Sequence, residues 1–268
     1  MNLTRVAALS REHRLEVIGL LEEQRRREAQ RLFYSVYGDE DQEWGGPTIL
    51  DGLVQPGQTL HARERYAQHL EFFRAGAEYR ERCFMAANRV GKTFGGGGYE
   101  MATHLTGEYP DWWEGRRFKH PISAWAAGDT YLTTRDVIQL TLLGQVDYTT
   151  SRKRMDGRGI IPGHRLGRLV WHKGVEDLVD KIQIKHVPSG GWSMLGFKSY
   201  DQGRKVFQGT GRHVIWLDEE PPVDVYGECL IRTATVGGIV MLTFTPLLGL
   251  SQVVLSFLPA DQRPDLAA

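Results

Sequence analysis

The stretch MAANRVGKTFGGGG, residues 85–98, constrains this chain more than any other. An apolar run, RCFMAAN, leads into Gly91-Lys92-Thr93, and four glycines follow Phe94. Those letters end the G-x-x-x-x-G-K-[ST] pattern of a phosphate-binding loop, but Ala86 stands where its first glycine belongs. A phosphate loop needs a strand, a tight turn that aims backbone N–H groups inward, and a helix beginning at the turn. It also needs a lysine to reach the β- and γ-phosphates and a hydroxyl for Mg²⁺. The stretch predicts each of these: a strand to Ala87, a turn through Asn88, Arg89 and Val90, then Gly91, Lys92 and Thr93 at a helix start. Alanine resists backbone angles that glycine accepts, so the alternative is a glycine-rich helix start with an exposed lysine.

A second signal lies 126 residues beyond Lys92, in HVIWLDEEPP. Val214 to Leu217 read as a buried strand, and Asp218-Glu219 emerge at its end. Carboxylates there are costly unless a cation or solvent compensates them. A phosphate loop requires such a partner, with an aspartate ordering Mg²⁺ and a glutamate polarising the attacking water. An acidic turn after a core strand is the bland alternative. The two signals in one chain, in this order, predict a site for ATP and Mg²⁺.

The surrounding pattern alternates strands and helices. PISAWAAGD reads as a strand, and TTRDVIQLTLLG as a helix capped by Thr133 or Thr134. DKIQIKHVPSGGWSMLGFKSY reads as a hairpin, and GIVMLTFTP as a further strand. The alternation implies a mainly parallel α/β sheet, whose ligands bind at the carboxyl ends of its strands. Ahead of it, residues 11–37 predict a helix with Leu15, Ile18, Leu21, Leu32 and Phe33 on its apolar side. Arg25–Arg27 are then a solvated face or a DNA contact. Residues 38–58 read as a linker and 61–78 as a second helix. The expected division is 1–58, an N-terminal helical segment and linker, and 59–268, the nucleotide-binding domain.

Composition excludes several classes. Cys83 and Cys229 are the only cysteines, and the nine histidines form no ligand pair, so neither a disulfide framework nor a cysteine-rich zinc site is expected. Thirty-three basic residues balance thirty-three acidic ones, so a nucleic-acid partner needs a local basic face. Residues 151–168, with six Lys/Arg against one Asp, are a candidate, the alternative being a solvated loop. The longest apolar stretch, GGIVMLTFTPLLGL, is too short for a membrane span, and no signal-peptide core begins the chain. A soluble, intracellular protein is expected.

ANRVGKT, SYDQGRKVFQGTGRHVIWLDEEPP and GGIVMLTFTPLLGL together resemble the large terminase subunits of tailed bacteriophages, over roughly residues 60–260. The resemblance implies a P-loop NTPase domain of the ASCE/RecA-like kind, an ATP-hydrolysing motor that drives double-stranded DNA into a prohead in the host cytoplasm. It implies a homo-oligomeric ring on a portal protein, with a small terminase subunit as partner. It places Lys92 and Thr93 on phosphate and Mg²⁺, Asp218 on Mg²⁺ and Glu219 as catalytic carboxylate. Arg89 would stabilise γ-phosphate charge, while Thr243 and Thr245 would relay hydrolysis to motion. Gln68 would read the adenine edge, with Tyr66 or Phe72 stacking, and Arg135 is a candidate arginine finger in trans. Another nucleic-acid translocase, or an inactive prophage remnant that binds nucleotide, are the other readings. The family usually carries a C-terminal nuclease domain; with only Asp261 and Asp265 after the coupling strand, no DNA cleavage is expected from these 268 residues.

Overall fold

The computed structural model describes residues 10, 13, 15–20, 22, 31–50, 52–247 and 249–263. Its contacts divide the chain into two compact units, Met1–Arg65 and Tyr66–Ala268. In the first, residues 15–20 are helical and a separate short helix, α1 (Leu32–Ser35), follows Arg31 in extended backbone. The continuous helix expected to Tyr37 is therefore interrupted, and Arg25–Arg27 lie outside the described residues. Strand β1 (Gln42–Glu43) pairs antiparallel with β2 (Thr59–Leu60), which ties residues 59–65 to this unit. Trp44 is buried there, its Nε1 donating to Pro47 O at 2.9 Å.

The second unit is built on a seven-stranded sheet, in spatial order β3-β11-β10-β4-β9-β8-β7. These are β3 (Glu81–Met85), β4 (Ser123–Gly128), β7 (Leu166–Trp171), β8 (Val179–Lys185), β9 (Trp192–Ser199), β10 (Val214–Asp218) and β11 (Ile239–Phe244). The five strands from β3 to β9 pair parallel, while β7 and β8 join antiparallel. The parallel strands are uninterrupted apolar runs because both faces are covered. Val225, Tyr226 and Cys229 of α5 (Val223–Ala234) pack with Ile215, Leu217, Val240 and Leu242 on one face. A two-stranded ribbon, β5 (Val146–Asp147) with β6 (Arg154–Met155), lies in the connection before β7.

The other face receives α3, the run of Lys92–Gly98 with π-type bonding continued by Tyr99–Thr106. Here the glycine run finds its reason. A Cβ on Gly97 would collide with Trp216 Nε1, and one on Gly96 would lie 3.0 Å from Phe84 Cδ1. The glycines let the helix lie flat on β3, β11 and β10, so the run is a packing device and not a loose loop. Beneath it, Arg82 of β3 makes a buried bidentate pair with Glu100 of α3, at 2.7 and 3.1 Å. His104 Nε2 sits 3.0 Å from the same carboxylate.

Several expected boundaries shift. The strand before the loop ends at Met85, not Ala87. The helix expected over 61–78 is the α-helix α2 (Ala67–Ala75), preceded by a 3₁₀ turn. The helix after β4, α4 (Tyr131–Thr133, Thr134–Gln139 and Leu140–Leu143), is capped by Thr130 through a capping box with Thr133. The hairpin is present as β8 and β9, and β7 adds a strand that the sequence pattern did not announce.

Candidate nucleotide site

Strands β3, β11 and β10 end side by side, because Thr243 is register partner to both Asp218 and Phe84. Two turns emerge there. From β3 the chain runs through Ala86–Gly91 into α3, with Arg89 at φ 65 and Gly91 at φ 80. Glycine accepts that angle freely; arginine does so at a cost of ~1–2 kcal/mol. No side chain caps the helix start, which leaves its first N–H groups open to an anion. Lys92 is buried, and its Nζ folds back to 3.5 Å from Ala87 O. Ala87, Asn88, Arg89 and Val90 are all at least partly exposed.

From β10, Asp218 points at α3. Its Oδ1 accepts from Thr93 Oγ1 at 2.9 Å and from Thr243 Oγ1 at 2.7 Å. Trp216 Nε1 donates to Thr243 Oγ1 at 2.7 Å, which turns the threonine hydrogen toward the carboxylate. Burial pushes the Asp218 carboxyl up to about 7, against the two hydroxyl bonds that favour its ionised form. Neighbouring Glu219 pushes the same way as burial, and Lys92 opposes it. A buried carboxylate in that state is poorly compensated within the chain, and a cation bound beside it would relieve it.

Glu219 is exposed and also has a left-handed backbone, φ 64. Its N–H donates to Thr243 O at 3.0 Å, and Tyr200 OH lies 3.2 Å from its carbonyl and 3.0 Å from that of Asp218. These bonds hold the strained turn that projects the glutamate from the sheet end.

Thr243 and Thr245 divide the work expected of them as a pair. Thr243 belongs to the acid, whereas Thr245 Oγ1 sits 2.9 Å from both Ala86 O and Asn88 Oδ1, on the phosphate-type loop. Strand β11 and the residue just past its end thus touch both halves of the site. His69, overlooked in the sequence, supports the loop from α2: its Nε2 lies 3.0 Å from Val90 O, and its ring limits Gly91 from 3.2 Å away. Burial lowers its pKa, so the neutral ring donates to that carbonyl. A histidine on an amphipathic helix gives no periodic signal of such a tether. Trp216 and Tyr200 likewise read as core aromatics; only their polar atoms mark them.

Other expected residues lie apart from this cluster. Gln68 is exposed on α2 and lines a cavity of roughly 620 Å³ with Phe72, Tyr79, Cys83, Phe84 and Phe257. The two rings expected to stack on a base are engaged within the protein: Tyr66 stacks on His69 and Phe72 on Phe84. Arg135 is held by Asp136, with Nε to Oδ1 at 2.6 Å, and by Glu176 O. In residues 151–168, Lys153, Arg154 and Arg165 pair with Asp177, Asp147 and Glu108. Among the described residues no three His, Cys, Asp or Glu side chains converge as a metal cage, and no helix is long and apolar enough to cross a membrane. A Mg²⁺ that keeps most of its water and takes only a hydroxyl and one carboxylate region needs no cage. Thr93 and Asp218 fit that requirement.

A parallel sheet with a strand–loop–helix phosphate turn, and an acid-tipped strand one place removed, defines a P-loop NTPase fold. Residues 83–267 match the family described as terminase large subunit, T4likevirus-type, N-terminal, and the chain belongs to that family. The large terminase subunit of Salmonella phage P22 is 40% identical over 211 residues, covering 72% of this chain and 41% of that protein. The chain thus spans about two fifths of that relative's length. Two structures of the large terminase from a thermophilic bacteriophage are also similar, each at 12% identity over 68% of this chain. One, crystal form 2, has a TM-score of 0.42 over 39% of that chain; the other, a complex with ADP, has 0.46 over 38%.

Proposed function

We propose that this chain is the ATP-hydrolysing motor part of a phage DNA-packaging machine, acting on double-stranded DNA in the host cytoplasm. The observation that carries the reading is the meeting of Thr93 with Asp218 at the open start of α3. Lys92 would hold the β- and γ-phosphates, with the N–H groups of Arg89 through Thr93 around them. Thr93 and Asp218 would hold Mg²⁺, which supplies charge neutralisation between the phosphates when bound. Glu219, exposed beside them, would orient a water and accept its proton, while Arg89 would face the charge that develops on the γ-phosphate. With nucleotide and Mg²⁺ bound, Thr93 would give up its hydrogen bond to Asp218. Thr243, bonded to the same oxygen, would then be the hydroxyl left holding that carboxylate. Thr245 reports on the loop through Asn88. Membership of the family supports extending the reading to a ring on a portal, with a small terminase subunit as partner. Arg135 then has to leave Asp136 before it can serve a neighbouring site.

Binding of a fluorescent ATP analogue and phosphate release, each with and without Mg²⁺, test the reading. Lys92→Ala should lose binding. Glu219→Ala should bind normally and release no phosphate. Equal phosphate release by wild type and Glu219→Ala would sink it.

A further inference from the structure

Among the described residues, one side of the sheet is left open beyond α5. Direct register partners point to the same face, so Trp125 of β4, Gly196 of β9, Lys181 of β8 and Val170 of β7 form one row across it. Gln183 with Met194, and Lys185 with Trp192, form the next two. The opposite face carries Ile182, Ile184, Leu195 and Phe197, all buried, whereas this one leaves Lys181, Val170, Met194 and Trp192 exposed, the tryptophan at 47%.

The same device occurs twice there. A Cβ on Gly167 would meet Trp192 Cζ3 at 2.5 Å, so the indole lies flat across β7, with Lys185 Nζ 4.9 Å from its centre. A Cβ on Gly196 would meet Trp125 Cδ1 at 3.1 Å; Arg212 Cζ stands 4.2 Å over that indole and Lys198 Nζ 5.9 Å from it. Cations stacked on rings are held in place at little further entropic cost. Among the described residues none of Lys181, Lys185, Lys198 and Arg212 has a carboxylate within 4.0 Å. Lys185 donates to Gly190 O, and Arg212 to Thr210 and Gly211. Asp180, the only acid in the three strands, sits at the bulge of β8 and acts on Lys198 from a distance. In the basic loop of residues 151–168, by contrast, Lys153, Arg154 and Arg165 are neutralised.

We infer that this face, with Lys185 on Trp192, Lys198 and Arg212 on Trp125, and Lys181 in the row beside Gly196, is where the chain grips the phosphate backbone of duplex DNA. The inference rests on the motor reading and adds the surface that reading lacks. Lys181 and Lys185 are ~13 Å apart along β8. A duplex carries one charge per ~1.7 Å of axis over its two strands, so that length of axis holds about eight phosphates, those on the near side facing the row. Trp192 and Met194 supply apolar contact for the sugar edges between them. Such a contact reads no sequence.

Fluorescence anisotropy of a labelled 30-base-pair duplex on the full chain, from 50 to 200 mM salt, tests it. Replacing Lys181, Lys185 and Lys198 by alanine should weaken binding at least tenfold at the lowest salt. It should also reduce the log–log salt slope by about 2.7, near 0.9 per lost cation. Fluorescent ATP binding should be unchanged, and arginine at the three positions should restore the slope. Arg152→Ala with Arg158→Ala, in the basic loop, should leave the slope as it was. A slope kept by the triple alanine variant, or lost by the loop variant, overturns the assignment. Displacement of DNA by polyglutamate at equal charge concentration would overturn the choice of duplex. Wild type that binds ATP but no duplex would refute this surface and leave the nucleotide site standing. Wild type that binds no ATP would refute the motor reading instead.

Discussion

Asp218→Asn should make the protein more stable at pH 8 in the absence of Mg²⁺, which is the reverse of what replacing a hydrogen-bonded buried acid ordinarily does. The folded carboxyl titrates at about 7, against an ordinary value of 3.8. Below pH 4 both states hold the proton and the acid costs nothing. As pH rises from 4 to 7 the unfolded state ionises first, so stability falls by up to ~1.36 kcal/mol per unit and levels off above 7. The accumulated penalty is about 4 kcal/mol, of which roughly three fifths falls between pH 5 and 8. Asparagine keeps Oδ1 in place to accept from Thr93 and Thr243, so the comparison changes charge and little else. Other acids, such as Glu100 beside Arg82 and His104, shift the opposite way, but they are common to both proteins. Urea unfolding at pH 5 and pH 8 should therefore show the variant's advantage growing by about 2–3 kcal/mol. Mg²⁺ with ATP should close the gap by stabilising wild type alone. A gap that stays constant between pH 5 and 8 would refute the argument, as would a wild type more stable than the variant at pH 8 without the ion.

Three further outcomes follow from the same geometry. Arg89→Gly should raise Tm by about 1–4 °C, because glycine removes the left-handed strain, while both it and Arg89→Ala lose ATP turnover; a lower Tm for the glycine variant than for the alanine one would refute the strain argument. Gly97→Ala should destabilise by roughly 1–2 kcal/mol in urea unfolding despite alanine's ~1 kcal/mol better helix propensity, since the new methyl meets Trp216; an unchanged midpoint would mean the helix does not sit so tightly. Thr245→Val keeps the shape of the strand end but frees Asn88, so it should retain ATP binding and lose DNA movement in a packaging assay, where undiminished movement would remove Thr245 from the relay.

What the sequence disclosed follows how each feature is encoded. The phosphate-type loop and Asp218-Glu219 were legible because each directly follows its own apolar strand in the chain, and the structure brings Lys92, Thr93, Asp218 and Thr243 to one place. The parallel sheet was legible because runs such as VIWL, covered on both faces, are apolar throughout. Strand β7 escaped notice because LGRLVW is bulged and half covered, so its alternation is broken. His69, Trp216 and Tyr200 escaped for a different reason. Each is encoded as an apolar or amphipathic position, and its function depends on one polar atom whose partner lies 18 to 27 residues away. The glycines show the limit from the other side. GGGG suggests looseness when read alone, yet Gly97 is fixed by an indole far along the chain, on the acidic strand. Trp216 is therefore pressed between α3 and Thr243, so a displacement of the phosphate-loop helix reaches the Asp218 hydroxyl partner by contact alone. That contact does not depend on Thr93. A motor that used it would still couple helix position to the acid with Thr93 replaced by serine, and would lose the coupling with Trp216 replaced by leucine.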